Sequence, residues 1–72
     1  MSGEDAFTVE GVIVAVLSER TCRVKLANGH VVFGFVAGRR KEPSVRLVAG
    51  RRMLMKLSPY DLSEGRVLRE TN

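Results

Sequence analysis

The sequence concentrates its most distinctive chemistry in a run of cationic side chains. Between residues 38 and 56 there are seven Lys and Arg residues and a single Glu, a net charge of +6, whereas the whole chain of 72 residues carries +4. Guanidinium and ammonium groups at this density favour binding to a polyanion. A solvated surface that keeps the protein in solution is the alternative explanation for the same charges.

A second candidate site depends on how one predicted hairpin is paired. One strand carries Arg23 and Lys25 on a single face, and the next carries Phe33 and Phe35 after an Ala-Asn-Gly turn. A two-residue Asn-Gly loop would place both rings in the core, which propensity favours because burying phenylalanine is stabilising. A three-residue loop with Gly29 as a left-handed bulge residue would place both rings beside the cations, where nucleic-acid bases could stack. Composition alone leaves both registers open.

Few residues could support covalent catalysis or bind a metal. Cys22 lies on the apolar face of an alternating strand, where an inert thiol is expected, and His30 lies beside a turn without a nucleophile to activate. Asp61 and Glu64 share a predicted loop, but nothing marks them as an acid–base pair. One Cys and one His cannot supply the four ligands of a structural zinc site. We therefore predict a binding protein that is not an enzyme and uses no metal or cofactor.

Composition also indicates where the protein acts. A single cysteine suits a reducing compartment. The start of the sequence lacks the charged and apolar regions of a signal peptide, and no stretch approaches the roughly 20 apolar residues that span a bilayer. We expect a cytoplasmic protein with no membrane association.

The pattern of apolar residues predicts an all-β fold. Five strands are predicted, at residues 7–17, 21–26, 30–36, 52–57 and 66–69. A short helical turn is expected at residues 38–42, between the third and fourth strands, and a loop at residues 59–65. This arrangement matches the five-stranded Greek-key barrel of the OB type. We expect one such domain over residues 7–70, after a flexible tail at residues 1–6.

Two motifs make the sequence similar to a known family. One is the hairpin segment Asn28-Gly29-His30-Val31-Val32, and the other, more specific, is the run Ser-Pro-Tyr-Asp-Leu-Ser-Glu-Gly-Arg-Val at residues 58–67. Together they resemble bacterial translation initiation factor one over nearly the whole chain. The resemblance implies an OB-fold barrel that binds the small ribosomal subunit at the aminoacyl (A) site, contacts its ribosomal RNA and acts with the two larger initiation factors. It also implies a monomer away from the ribosome, and it favours the three-residue hairpin loop.

The resemblance also indicates which residues contact RNA. The family's basic loop corresponds to residues 38–41, where its Lys and Arg match Arg39 and Lys41, and the arginine of its Ile-Arg-Ile segment matches Arg46. Together with the hairpin residues and Arg66 of the last strand, the candidate RNA-binding set is Arg23, Lys25, His30, Phe33, Phe35, Arg39, Arg40, Lys41, Arg46 and Arg66.

Three positions depart from the family pattern. Ser44 replaces an aromatic residue, Gly50-Arg51 replaces a Gly-Asp turn, and Glu70 stands where the family has an arginine. These departures suggest a divergent or second copy of the factor that binds the same kind of RNA.

Two other functions are compatible with the same sequence. A general single-stranded RNA-binding protein or RNA chaperone of the cold-shock type would use aromatic residues on adjacent central strands, for which only Phe33 and Phe35 are available. A protein adaptor would use the acidic tail and the loop at residues 59–62, and its binding would be insensitive to salt and independent of RNA.

Overall fold

The computed structural model describes residues 6–37 and 45–71, in which the backbone forms five β-strands. They are β1 (Phe7–Val16), β2 (Thr21–Leu26), β3 (Val31–Phe35), β4 (Arg52–Ser58) and β5 (Asp61–Glu70). The strands close into a barrel in the order β1-β2-β3-β5-β4, with β1 paired to both β2 and β4. Only the β3–β5 pair is parallel. The predicted five-stranded barrel of the OB type is confirmed.

Two predicted features fall where the structure gives no description. The helical turn at residues 38–42 and all of the tail except Ala6 lie outside the described residues. Within residues 6–37 and 45–71 there is no helix that could cross a membrane.

Alternating side chains fill the interior of the barrel. In β2, Cys22 and Val24 are fully buried, and in β4 every second residue from Met53 to Leu57 is buried. The remaining core residues are Ile13, Val32, Val36, Leu47 and Val67. No polar or charged residue of the described segments is fully buried. The fold is therefore stabilised mainly by apolar burial, at about 25 cal/mol for each Å² removed from water.

Strand β1 bends because it serves two neighbours. Its first half pairs with β4 and its second half with β2, and Gly11 lies where the two pairings overlap. A Cβ atom at Gly11 would collide with Cγ1 of Val24 and would lie 3.1 Å from the Lys25 carbonyl oxygen. A register shift between Ile13 and Ala15 marks a bulge, which increases the local bend. The glycine and the bulge together let one strand close the sheet on itself.

Strand β5 begins earlier than the sequence predicts. Composition predicts a loop over residues 59–65, whereas β5 starts at Asp61. Between the pairs Ser58–Asp61 and Leu57–Gly65, three residues of β5 bulge away from β4. The other edge of β5 pairs with β3, which is distant in sequence. The prediction of a loop is wrong because local composition reveals neither the Ser58–Asp61 pair that begins β5 nor the long-range pairing of residues 64–66 with β3.

Candidate nucleic-acid interface

The β2–β3 hairpin has the three-residue loop. The Leu26 N–H donates to the His30 carbonyl oxygen at 2.8 Å, and the Gly29 N–H donates to the Leu26 carbonyl oxygen at 2.9 Å. Gly29 has φ of 89°, as a left-handed bulge residue requires. The His30 N–H also donates to Oδ1 of Asn28 at 2.9 Å. The loop that the family resemblance favours is confirmed, and the register that propensity favours is wrong.

This register places both phenylalanines of β3 on the outside of the barrel. Phe33 lies opposite Arg23, while Val32 and Gly34 point inward and are buried. A Cβ atom at Gly34 would lie 3.1 Å from Sγ of Cys22, so the absence of a side chain there lets β3 approach the core closely. Both rings are partly buried at the outer surface. The predicted outward orientation of Phe33 and Phe35 is confirmed.

Each of the two rings has a cation as its cross-strand neighbour on one side. On the β2 side, Arg23 is the cross-strand neighbour of Phe33. On the β5 side, Arg66 is the neighbour of Phe35, and Lys56 of β4 is the neighbour of Arg66. Neighbouring strands lie about 4.8 Å apart, so these exposed cations can reach phosphates on either side of a base that stacks on a ring. We call this surface the aromatic-basic face; its residues are Arg23, Lys25, Phe33, Phe35, Lys56 and Arg66.

Two carboxylates stand at the β5 border of the aromatic-basic face. Glu64 is the cross-strand neighbour of Phe33. Asp61 accepts hydrogen bonds at Oδ1 from the Ser63 hydroxyl at 2.6 Å and from the Ser63 N–H at 3.1 Å. These two hydrogen bonds hold the pKa of Asp61 below its ordinary value, and the bond from the hydroxyl has the larger effect. This carboxyl is therefore ionised at neutral pH.

Other predicted RNA-binding residues lie elsewhere. His30 is exposed beside the hairpin turn. Arg46 is exposed in a groove of about 590 Å³ that also involves Val16 and Glu19 and shares no residue with the aromatic-basic face. The structure thus gathers the candidates of β2, β3 and β5 on one surface and places Arg46 apart from them. The candidates Arg39, Arg40 and Lys41 lie outside the described residues.

The cysteine has the environment of a structural thiol. Cys22 is fully buried in the core, and burial raises the pKa of its thiol above the ordinary value. A protonated, inaccessible thiol is a poor nucleophile. In the described part of the chain, no three His, Cys, Asp or Glu side chains come together as a metal site.

Comparison with known proteins relates this barrel to a family. No family model matches the sequence. The solution structure of translation initiation factor one from the Wolbachia endosymbiont strain TRS of Brugia malayi is 33% identical, with a TM-score of 0.75, and the match covers 99% of this chain and 84% of that one. The chain belongs to the translation initiation factor one family. An initiation-factor-like role follows from this membership.

Two of the departures from the initiation factor one pattern contact each other. Nη1 of Arg51 donates to both carboxylate oxygens of Glu70, each at 2.8 Å. Gly50, which precedes Arg51, has φ of 91°, so the turn still uses the left-handed conformation of a glycine. Where the family pattern has Asp in the turn and Arg in the last strand, this chain has a cation in the turn and a carboxylate in the strand. The third departure, Ser44, lies outside the described residues.

This ion pair should contribute little to stability. The two side chains are 46% and 44% exposed, and exposed pairs contribute about 0–1 kcal/mol. Arg51→Ala should therefore lower the free energy of unfolding by less than about 1 kcal/mol, measured by urea denaturation. The exchanged variant Arg51→Glu/Glu70→Arg should match the parent. A decrease of more than about 2 kcal/mol in Arg51→Ala would show that the arginine has a larger structural role than a surface pair.

Sequence reasoning does not identify Lys56 as part of the interface. The alternation of β4 places it on the outside, since Met55 and Leu57 on either side are buried. Only the β4–β5 pairing shows that it lies beside Arg66 and therefore near Phe35. No local sequence signal could have distinguished it from any other exposed lysine of a strand.

Proposed function

We propose that the protein binds the small ribosomal subunit at the A site through contacts with its ribosomal RNA and supports assembly of the initiation complex with the two larger initiation factors. The observation that carries this proposal is the aromatic-basic face, which lies on a barrel of the initiation factor one family. Such a protein acts in the cytoplasm, where initiation takes place.

The chemistry of the aromatic-basic face suits ribosomal RNA. Exposed arginines and lysines neutralise phosphates and release condensed counterions, which makes affinity dependent on salt. An aromatic ring that stacks on an unpaired base contributes about 1–3 kcal/mol. Arg39, Arg40, Lys41 and Arg46 would add a second, basic contact. The mechanism needs no chemical step, because the bulk of the barrel at the A site excludes tRNA sterically.

A general single-stranded RNA binder is the second candidate. It is favoured by the same two rings, since Phe33 has Arg23 of β2 as a neighbour, Phe35 has Arg66 of β5, and both rings could stack unpaired bases. The two candidates differ in what else they require. An A-site ligand needs the shape of the small subunit, whereas a general binder needs only an unpaired strand.

Cosedimentation with isolated ribosomal subunits tests the proposal. We expect the protein to sediment with small subunits, not with large subunits, and to resist displacement by an excess of poly(U). Binding should weaken with added salt. Chemical footprinting of the small-subunit RNA should then show protection at the A site.

Three results would argue against this function. Equal binding to both subunits, or displacement by poly(U), would favour the general RNA binder. Binding that is unaffected by salt and by ribonuclease would favour a protein adaptor. Protection confined to regions other than the A site would contradict the proposed location.

A further inference from the structure

A groove at the β4–β5 side of the aromatic-basic face contains carboxylate side chains, which general RNA binding does not require. It has a volume of about 250 Å³, and its polar and aromatic side chains include Phe35, Lys56, Asp61, Glu64 and Arg66. We call it the Phe35 groove. Its size suits a single planar base rather than an RNA helix.

The strand register arranges these side chains in a definite order. Arg66 has Phe35 as its neighbour on one side and Lys56 on the other. A base that stacks on the Phe35 ring would therefore have both cations within reach of its flanking phosphates. Such contacts would hold a nucleotide without distinguishing one base from another.

The carboxylates require a separate explanation, because negative groups beside a phosphate-binding surface oppose RNA binding. Oδ1 of Asp61 already accepts two hydrogen bonds from Ser63. Glu64 is exposed. Of the two carboxylates, it is the one that pairs with a phenylalanine, because it is the cross-strand neighbour of Phe33. A carboxylate accepts two parallel N–H bonds through its two oxygens.

Guanine is the base that matches this acceptor. Its pairing edge presents two adjacent donors, N1–H and the N2 amino group. Adenine and cytosine each present a ring acceptor beside an amino donor, and uracil presents one donor between two acceptors. Only guanine can therefore satisfy both oxygens of a carboxylate through neighbouring donors of its pairing edge.

We propose that the Phe35 groove binds one unpaired guanine of RNA, with the base stacked on Phe35, its pairing edge at the Glu64 carboxylate and its flanking phosphates at Lys56 and Arg66. This inference rests on the proposed RNA binding, and it adds the identity of the base at one position.

Pentanucleotides that differ only in their central base test the inference. The isotope-labelled protein is titrated with UUGUU, UUAUU, UUCUU and UUUUU, and binding is followed through the backbone amide of Gly65, which lines the groove. We expect UUGUU to bind about tenfold more tightly than UUAUU, as a good two-bond contact to a base discriminates. Guanosine monophosphate should bind more weakly than UUGUU, because it lacks the second flanking phosphate.

Two variants distinguish recognition of the base edge from the effect of removing one negative charge. Glu64→Gln replaces two acceptors with one acceptor and one donor, which complements adenine and cytosine, so the preference should shift from UUGUU to UUAUU and UUCUU. Glu10→Gln makes the same chemical change at an exposed carboxylate of β1 outside the groove and should keep the guanine preference.

Several outcomes would overturn the inference: equal binding of all four pentanucleotides, no binding of any, or an unchanged guanine preference in Glu64→Gln. Guanosine monophosphate that binds as tightly as UUGUU would point to a free nucleotide as the ligand and would reject RNA in this groove. Cosedimentation of the same samples with small subunits reports on the proposed function separately. A parent that cosediments but shows no guanine preference rejects only the inference, whereas a parent that does not cosediment rejects the proposed function.

Discussion

Leu57→Ala should lower the free energy of unfolding by about 2–5 kcal/mol, as truncation of a buried leucine does in other cores. Leu57 is 3% exposed, and its Cγ would lie 3.0 Å from a Cβ at Gly65, so the surrounding chain is closely packed. A domain of this size has little stability to lose. Each kcal/mol corresponds to about 4–8 °C in Tm, so the midpoint should fall by at least about 8 °C.

The chain offers a matched control for this change. Leu62 is 50% exposed, and Leu62→Ala removes the same atoms from the surface instead of the core. Its free energy of unfolding should stay within about 0.5 kcal/mol of the parent. Both variants are followed by circular dichroism during thermal melting. If Leu57→Ala melted within two or so degrees of the parent, the packing described for β4 and β5 would be wrong.

Arg23→Ala/Arg66→Ala should weaken binding to the small subunit by about a hundredfold at low salt. Each arginine flanks a ring of the aromatic-basic face, and a hydrogen bond to a charged group contributes at least about 1.5 kcal/mol. The slope of log affinity against log salt should fall by about 0.7–0.9 for each phosphate that the variant no longer neutralises. The Tm should change little, because both side chains are exposed.

A control with the same change in net charge is Arg52→Ala/Arg69→Ala. These arginines lie on β4 and β5, but their cross-strand neighbours are Val12 and Leu54 rather than the phenylalanines. Binding should weaken less, since only long-range attraction is removed. Equal weakening in the two double variants, measured by cosedimentation over a salt series, would mean that net charge and not the aromatic-basic face determines affinity.

A third double variant tests the basic loop at residues 38–41. Arg39→Ala/Lys41→Ala removes two cations that the family resemblance assigns to RNA contact. We expect weaker binding and a flatter salt dependence with an unchanged melting temperature. Full affinity in this variant, together with much weaker binding in Arg23→Ala/Arg66→Ala, would place the whole interface on the sheet.

The local alternation of apolar and polar residues predicts most of the strands of the barrel but little of how they pair. Alternation over Cys22 and Val24, and over Met53 to Leu57, is sufficient to predict half-buried strands, because each strand has one face in the core. The start of β5 at Asp61 is not predictable in this way. Residues 61–65 have the composition of a loop, although Asp61 pairs with Ser58 across a tight turn and residues 64–66 pair with the distant strand β3.

The candidate site is predictable only in part, for related reasons. The direction of Phe33 and Phe35 depends on whether the hairpin loop has two or three residues, and an Asn-Gly turn is compatible with both. The family resemblance resolves this point where propensity gives the opposite result. Strand pairing also places Lys56 beside Arg66 and Arg51 beside Glu70. The sequence of either segment alone does not predict these neighbours.

The place of β5 between β3 and β4 also constrains how the chain reaches its native state. Until residues 61–70 dock, β3 lacks a partner on one edge and β4 lacks one on the edge away from β1. Closure thus depends on contacts between distant parts of the chain, which makes folding slower than in a fold of local contacts. An intermediate without β5 presents two open edges on which further chains can pair. A fragment that ends before residue 61 should therefore be prone to aggregation, and a separate peptide with the sequence of β5 should rescue it by completing the barrel in trans.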